Sequence, residues 1–314
     1  MFDLVEIAAA VNEGVYEIQG HTLLVYGGPK TGKTRLSATI AKLPWVRNVH
    51  YFGFENGHDT LITMTRKGDL SQEAAKKIHI YRIKDTPDKS RAMEIALKGF
   101  VSEHKGRLCK EHGRFECLEC QPKKDFASVE WLSKSIAFDV KTLTHDDWVI
   151  FDSGTQLAAS CLAYITKGRD YDFKPGWDEY GQLGRMLTDF CSYVQAAARC
   201  NFMVLTHELV LENNELEKKD KFYPLFGTKP FSLTVAKFFG TVIHLELNMR
   251  KHSGASASTF KDSVVSGSRV DMRIEDEAQL DFSLVWPKLG LKRPEAVVTT
   301  KTETAVKPAV IPPK

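Results

Sequence analysis

The sequence predicts an α/β fold with a mainly parallel central sheet, and three observations carry that prediction. Short apolar runs recur, and Trp148–Asp152 and Phe202–Thr206 are apolar almost throughout, as strands buried on both faces are. Helical patterns alternate with them, the clearest setting Leu183, Leu187, Phe190, Cys191 and Val194 on one face. A glycine-rich loop joins the first apolar run to the first helical one.

In chain order, His21–Tyr26 is the first strand, and the helical run beyond the loop reaches Leu43 and stops at Pro44. Val49–Phe54 is a second strand, ended by the turn pair Asn56-Gly57. From Leu61 to Asp147 the character changes to charged helical patterns and a Cys/His cluster, so this stretch reads as an insertion. Strand Trp148–Asp152, a helix over 183–199 and strand Phe202–Thr206 resume the core. A charged loop, Glu208–Lys221, precedes short strands near Thr241–Leu247 and Val270–Ile274. The tail after Lys292 has no apolar periodicity and is expected to be disordered. The expected organisation is 1–60 as the first part of the core, 61–147 as the insertion, 148–291 as the second part and 292–314 as the tail.

Composition narrows the function classes. The 314 residues are 43% hydrophobic, enough for one large domain with an insertion. A net charge of +3 gives a weak overall field, so any nucleic-acid contact needs a local basic patch. Asp3 and Glu6 stand where a secretory signal carries Lys or Arg, and no stretch reaches the roughly 18 apolar residues of a membrane span. A soluble, cytoplasmic protein without a membrane partner is expected. Cys161, Cys191 and Cys200 lie in apolar surroundings, as buried free thiols in a reducing compartment do.

The loop Gly27-Gly28-Pro29-Lys30-Thr31-Gly32-Lys33-Thr34 matches G-x-x-x-x-G-K-[ST] at every fixed position. Glycines let successive N–H groups curl around phosphates, and the following helix adds its positive end. Lys33 would face the β- and γ-phosphates, and Thr34 would ligate Mg²⁺. The ligand class is a Mg²⁺–nucleoside triphosphate, with ATP favoured because no N-K-x-D guanine-reading element follows. A small-molecule kinase would need an Arg-rich lid, which the sequence lacks.

Asp152, closing an apolar strand, is placed to hold Mg²⁺; the alternative is a helix N-cap. Glu55, one residue beyond its strand, could polarise the attacking water or be a solvated turn acid. Thr206 and His207 end a strand where a polar pair could sense the γ-phosphate or simply form a turn. Cys109-x₂-His112-x₄-Cys117-x₂-Cys120 supplies four zinc-type ligands as two short-spaced pairs, with Gly113 permitting the reversal between them. Free thiols are the alternative. Bound Zn²⁺ would be structural and would fold a segment too small for its own core. Arg107, Lys110, Arg114, Lys123 and Lys124, with Phe115 interleaved, make this region either a nucleic-acid contact or a solvated basic face.

Taken together, GGPKTGKT, FENGHDTL, WVIFDSGTQL, VLTHE and FGTKP resemble the phage-encoded RecA-like ATPases associated with single-strand DNA annealing and recombination. The resemblance covers about 22–55 and 148–273. It implies a RecA-like P-loop core with Glu55 as the water-activating acid, Asp152 as the Walker-B acid, and Thr206 and His207 as the switch to a DNA-approaching loop, 208–229. It also implies a homo-oligomer on single-stranded DNA in the host cytoplasm, with a neighbour's cation completing each site: Lys229, Arg250, Lys251 or Arg269. The loop departs from that expectation, since its acidic residues nearly cancel its lysines. An alternative is a nucleotide-switched interaction module with slow hydrolysis that engages a replication or single-strand-binding protein.

Overall fold

A computed structural model describes residues 20–170, 172–196, 199–211, 220–248, 251–255, 264–268 and 280–285. Strand β1 (Thr22–Gly27) leads through the glycine-rich loop into helix α1 (Lys33–Ala38). β2 (Asn48–Gly53), α2 (His58–Lys67), α3 (Gln72–Lys76) and β3 (Ile78–Arg82) follow. α4 (Arg91–Met93) continues as a π-helix to Val101. β4 (Lys105–Cys109), α5 (Val129–Lys134) and β5 (Ser135–Asp139) come next, then β6 (Asp147–Asp152), α6 (Gly154–Ile165) and α7 (Trp177–Ala196). β7 (Asn201–Leu211), β8 (Lys221–Leu225), α8 (Lys229–Thr234), β9 (Thr241–Asn248), β10 (Lys251–Ala255), β11 (Gly267–Ser268) and α9 (Phe282–Val285) complete the described elements.

The main sheet runs β10-β9-β1-β7-β6-β2-β3. Every neighbouring pair from β9 to β3 is parallel; β10 and β11 pair antiparallel with β9, and β8 with β7. The predicted fold class, α/β with a mainly parallel sheet, is the observed one.

Side-chain alternation along the buried strands makes two core layers. Trp148 and Ile150 of β6 enter one layer with Leu36, Ile40, Leu61 and Met64. Val149 and Phe151 enter the other with Leu157, Leu187 and Phe190. The same period sets Asp152 on the face that α1 and α2 cover. Burial of the second layer is aromatic-rich, with Phe52 stacked on Tyr81 at 4.5 Å and edge-on to Phe100 at 5.4 Å.

Much of 61–147 is built into this architecture. β3 pairs with β2 along Val49–Gly53, and Ile95, Ala96 and Phe100 are buried in the aromatic layer. The two-stranded sheet of β4 and β5 is separate, yet Phe138 of β5 packs on Phe52 at 5.7 Å and Phe100 at 5.6 Å. Within the expected insertion, the accessory segment Lys105–Asp139 holds the Cys/His cluster.

Two boundaries differ from expectation. α7 opens at Trp177 rather than Leu183, because its first turns, with Trp177, Asp178 and Tyr180 exposed, show no apolar stripe. The expected charged loop from Glu208 is instead a continuation of β7, paired antiparallel with β8 through Leu209↔Tyr223 and Val210↔Phe222. Its charged residues and Pro224 mask the alternation, and proline is tolerated because, among the described residues, the second side of β8 is bridged at Phe222 and not at Pro224. Residues 212–219, the predicted strand Val270–Ile274, Arg250, Arg269 and the tail 292–314 lie outside the described residues, as does the side chain of Lys251.

Candidate functional site

β1 delivers the loop to the carboxyl edge of the sheet, between β9 and β7. A Cβ on Gly27 would run into the carbonyl of Leu245 on β9, so only glycine fits there. Gly32 takes φ 94°, the left-handed region that glycine adopts without strain, and opens α1. It offers no side-chain cap, so the first-turn N–H groups of α1 receive no side-chain acceptor. Thr31 Oγ1 donates to the Gly28 carbonyl at 2.9 Å and closes the curl. Pro29 and Lys30 are exposed at the tip.

Lys33 is buried inside that curl and donates from Nζ to the carbonyls of Gly27 at 2.8 Å and Gly28 at 2.7 Å. Burial pushes its pKa down, against the attraction of Asp152, Glu208 and Glu55.

Asp152 is buried, and its Oδ2 accepts from Thr34 Oγ1 at 2.7 Å and from the Tyr51 hydroxyl. Burial lifts its pKa above the ordinary value, opposed by those two bonds and by Lys33. The N-cap reading of Asp152 fails, because Ser153 caps α6 and accepts from the Gln156 N–H. The Asp152–Ser153 peptide bond is cis.

Glu55 reaches the same edge from the neighbouring strand. Its Oε1 accepts from Ser153 Oγ at 2.5 Å and lies 3.7 Å from His207 Nε2. Those partners, His207 foremost, hold its carboxyl below the ordinary range. Glu55 thus has two side-chain partners at this edge. Thr206 does not join it. The side chain shares the face of Phe202 and Val204 and packs near Gly154, on the layer away from α1. Strand alternation separates the expected Thr206–His207 pair, and His207 alone faces Glu55.

Three contributors escaped the sequence reading. Tyr51 is an aromatic in an apolar strand, yet period two puts its hydroxyl on Asp152. Gly57 has no room for a methyl group: a Cβ would collide with the Asp152 carboxylate and the Tyr51 hydroxyl, and lie 3.3 Å from Thr34 Oγ1. Glu208, assigned to a loop, has Oε1 3.0 Å from where a Gly28 Cβ would stand, and Oε2 3.1 Å from buried His244 Nε2. Gly57→Ala is therefore expected to weaken Mg²⁺–nucleotide binding about tenfold or more while the fold survives, since φ −57° suits alanine. Isothermal titration with Mg²⁺–ATP checks this, and unchanged affinity would show that the crowding is relieved elsewhere.

Cys109, His112, Cys117 and Cys120 also converge, with ligand atoms all within 4.8 Å of one another. Cys109 and Cys117 are buried beside Trp131. Gly113, at φ 61°, makes the reversal between the two pairs. The basic residues around the cluster are less available than their sequence suggests. Arg107 donates to Ser135 Oγ and the Ser135 carbonyl, and Arg114 pairs with Glu94 at 2.9 and 3.0 Å. Lys110 donates to the Ser133 carbonyl, and Phe115 packs against the core and on His104. Lys123 and Lys124 are exposed.

With this geometry in place, comparison with known proteins adds a limited amount. No protein-family profile matches the chain, and no curated protein matches it. Among solved structures, the RadB recombinase is similar over 79% of this chain and 84% of its own, at 13% identity and a TM-score of 0.39. A prototypical ATPase from the type III secretion system of pathogenic bacteria is similar over 80% of this chain and 58% of its own, at 13% identity and a TM-score of 0.42. At those scores the functional reading rests on the site itself. No helix among the described residues is long and apolar enough to cross a membrane.

Proposed function

We propose that the chain is a RecA-like ATPase that binds Mg²⁺–ATP on Gly27–Thr34 and works on single-stranded DNA in recombination, annealing or repair. The observation that carries this is convergence: Lys33, Thr34, Asp152 and Glu55 come from three chain segments to one sheet edge, linked by hydrogen bonds from Thr34 to Asp152 and from Ser153 to Glu55. Ligands of open α/β sheets gather at that edge.

Each residue then has a role. Lys33 exchanges its two loop carbonyls for phosphate oxygens. Thr34 and Asp152 would hold Mg²⁺, which would supply positive charge beside the β- and γ-phosphates. Glu55 takes a proton from water as its oxygen attacks the γ-phosphorus; the bond to the β,γ-bridging oxygen breaks, and ADP leaves. His207 touches Glu55 and sits on β7, which runs on into the β7–β8 hairpin, so nucleotide state can reach that hairpin. A neighbouring subunit would complete the site, and Lys229, which opens α8, is the one proposed trans cation whose side chain is described.

Exposed aromatics support the DNA reading. Trp177 is 95% exposed at the start of α7, with Tyr180 one turn on, and Arg169 lies over the Phe173 ring at 5.1 Å in the preceding segment. Aromatic faces interleaved with cations suit stacking of unpaired bases, worth about 1–3 kcal/mol per base. The deciding measurement is ATP turnover with and without single-stranded DNA. Stimulation is expected, with Trp177→Ala losing roughly tenfold in DNA affinity at unchanged basal turnover. No nucleotide-dependent DNA binding under any condition would remove the recombination reading. It would leave the interaction module, which exposed Leu118, Val129 and Leu132 on the accessory segment favour.

A further inference from the structure

The Cys/His cluster is too well formed to be incidental. In a tetrahedral site with Zn–S bonds of about 2.3 Å, ligand atoms lie about 3.8 Å apart. Here His112 Nδ1 is 3.2 Å from Cys120 Sγ and 3.5 Å from Cys117 Sγ, and the His112 backbone N–H donates to Cys109 Sγ at 3.2 Å. The imidazole thus points Nδ1 at the sulfurs and leaves Nε2 on the outside. The carboxylate that faces it is Glu119, whose Oε2 lies 3.9 Å away, at ion-pair range and short of a hydrogen bond.

Glu119 is itself held. Arg91 donates from one nitrogen to both of its oxygens at 3.1 Å, and Lys89 and Arg114 pair with Oε1 at 3.2 and 3.3 Å. Arg91 is 5% exposed and opens the helix whose later residues enter the aromatic core. Two residues on, the Met93 N–H donates to Ser160 Oγ of α6, the helix that follows Asp152.

We propose that this cluster is a structural Zn²⁺ centre in which His112 ligates through Nδ1, while Glu119 holds its Nε2–H and ties the centre to the core through Arg91. The charge arithmetic favours this role. Three thiolates and one Zn²⁺ leave a net −1, and a second anion beside them is tolerable only with cations at hand, which Arg91, Lys89 and Arg114 supply. A carboxylate on the outer nitrogen fixes the tautomer and raises ligand basicity, and its loss typically costs 10- to 100-fold in metal affinity. Glu119 is a positioning residue; it need not touch the ion.

The test uses the full chain with zinc content measured by atomic emission, and affinity by competition with a chromophoric chelator. One zinc per chain is expected, lost in Cys117→Ser and Cys120→Ser. Glu119→Gln is expected to keep its stoichiometry and lose about 10- to 100-fold in affinity. Glu94→Gln, which also removes a partner of Arg114 but leaves His112 alone, is the control and is expected to bind zinc as the parent does. Equal losses in Glu94→Gln and Glu119→Gln would reduce Glu119 to an ion-pair hub and overturn its proposed role. Absence of zinc from the parent, with cobalt giving no thiolate charge-transfer band, would overturn the centre itself, and both readouts work on chain that has no ATPase activity.

Discussion

Lys33→Ala is expected to lower ATP turnover by about 10²- to 10³-fold, the usual loss when one preorganised charge on a developing phosphate oxyanion is removed. The structure explains why a lone side chain weighs so much. The Lys33 ammonium is buried within its own loop, and the attraction of Asp152, Glu208 and Glu55 works against the pull of burial toward its neutral form. A triphosphate supplies more negative charge at shorter range than those groups do, so the ammonium is poised to move onto it. Alanine removes the cation and leaves the carbonyls of Gly27 and Gly28 without their donor. Lys33→Arg is expected to recover little, because a planar guanidinium does not fit where a tapered ammonium spans two carbonyls of a tight curl. Turnover and Mg²⁺–ATP affinity would be measured on the same samples, with a thermal melt to confirm folding. A folded alanine variant with parental turnover would remove the loop from the chemistry altogether.

The parts of this site that were legible in the sequence share one physical property: their function depends on local backbone or on strand period. The loop of Gly27–Thr34 is a local curl, and the apolar run Trp148–Phe151 before Asp152 spells a buried strand ending in an acid. Cys109 to Cys120 is equally local, since short spacings between ligands nearly dictate that they can share an ion. What stayed hidden depends on pairing across the sheet. Tyr51 meets Asp152 only because β2 lies beside β6, and Glu208 meets Gly28 and His244 only because β7 and β9 flank β1. The β7–β8 hairpin was hidden for a different reason, its stem being short, charged and interrupted by Pro224. Thr206 shows the converse error, where adjacency in sequence suggested a joint role that strand geometry forbids.

Glu55→Gln is the sharpest test of mechanism, because it separates binding from chemistry. Glutamine keeps the shape and can still accept from Ser153, so Mg²⁺–ATP affinity is expected to change little. Turnover is expected to fall by about 10²- to 10⁴-fold, since an amide cannot take the water's proton. The pH dependence gives a second signature. Glu55 is held below the ordinary carboxylate range chiefly by His207, with Ser153 adding to the effect. A base whose pKa is depressed stays ionised as pH falls, so the acid limb of kcat should lie below the usual carboxylate pKa. Removing the neighbour raises that pKa toward normal, so His207→Ala should move the acid limb upward without abolishing turnover at neutral pH. If Glu55→Gln hydrolyses ATP like the parent, the water is activated elsewhere, and the contact between Glu55 and His207 serves only to tie the ends of β2 and β7 together across β6. If the limb stays fixed in His207→Ala, then His207 does not tune the base, and the path from nucleotide to the β7–β8 hairpin has to begin at another residue on the sheet edge.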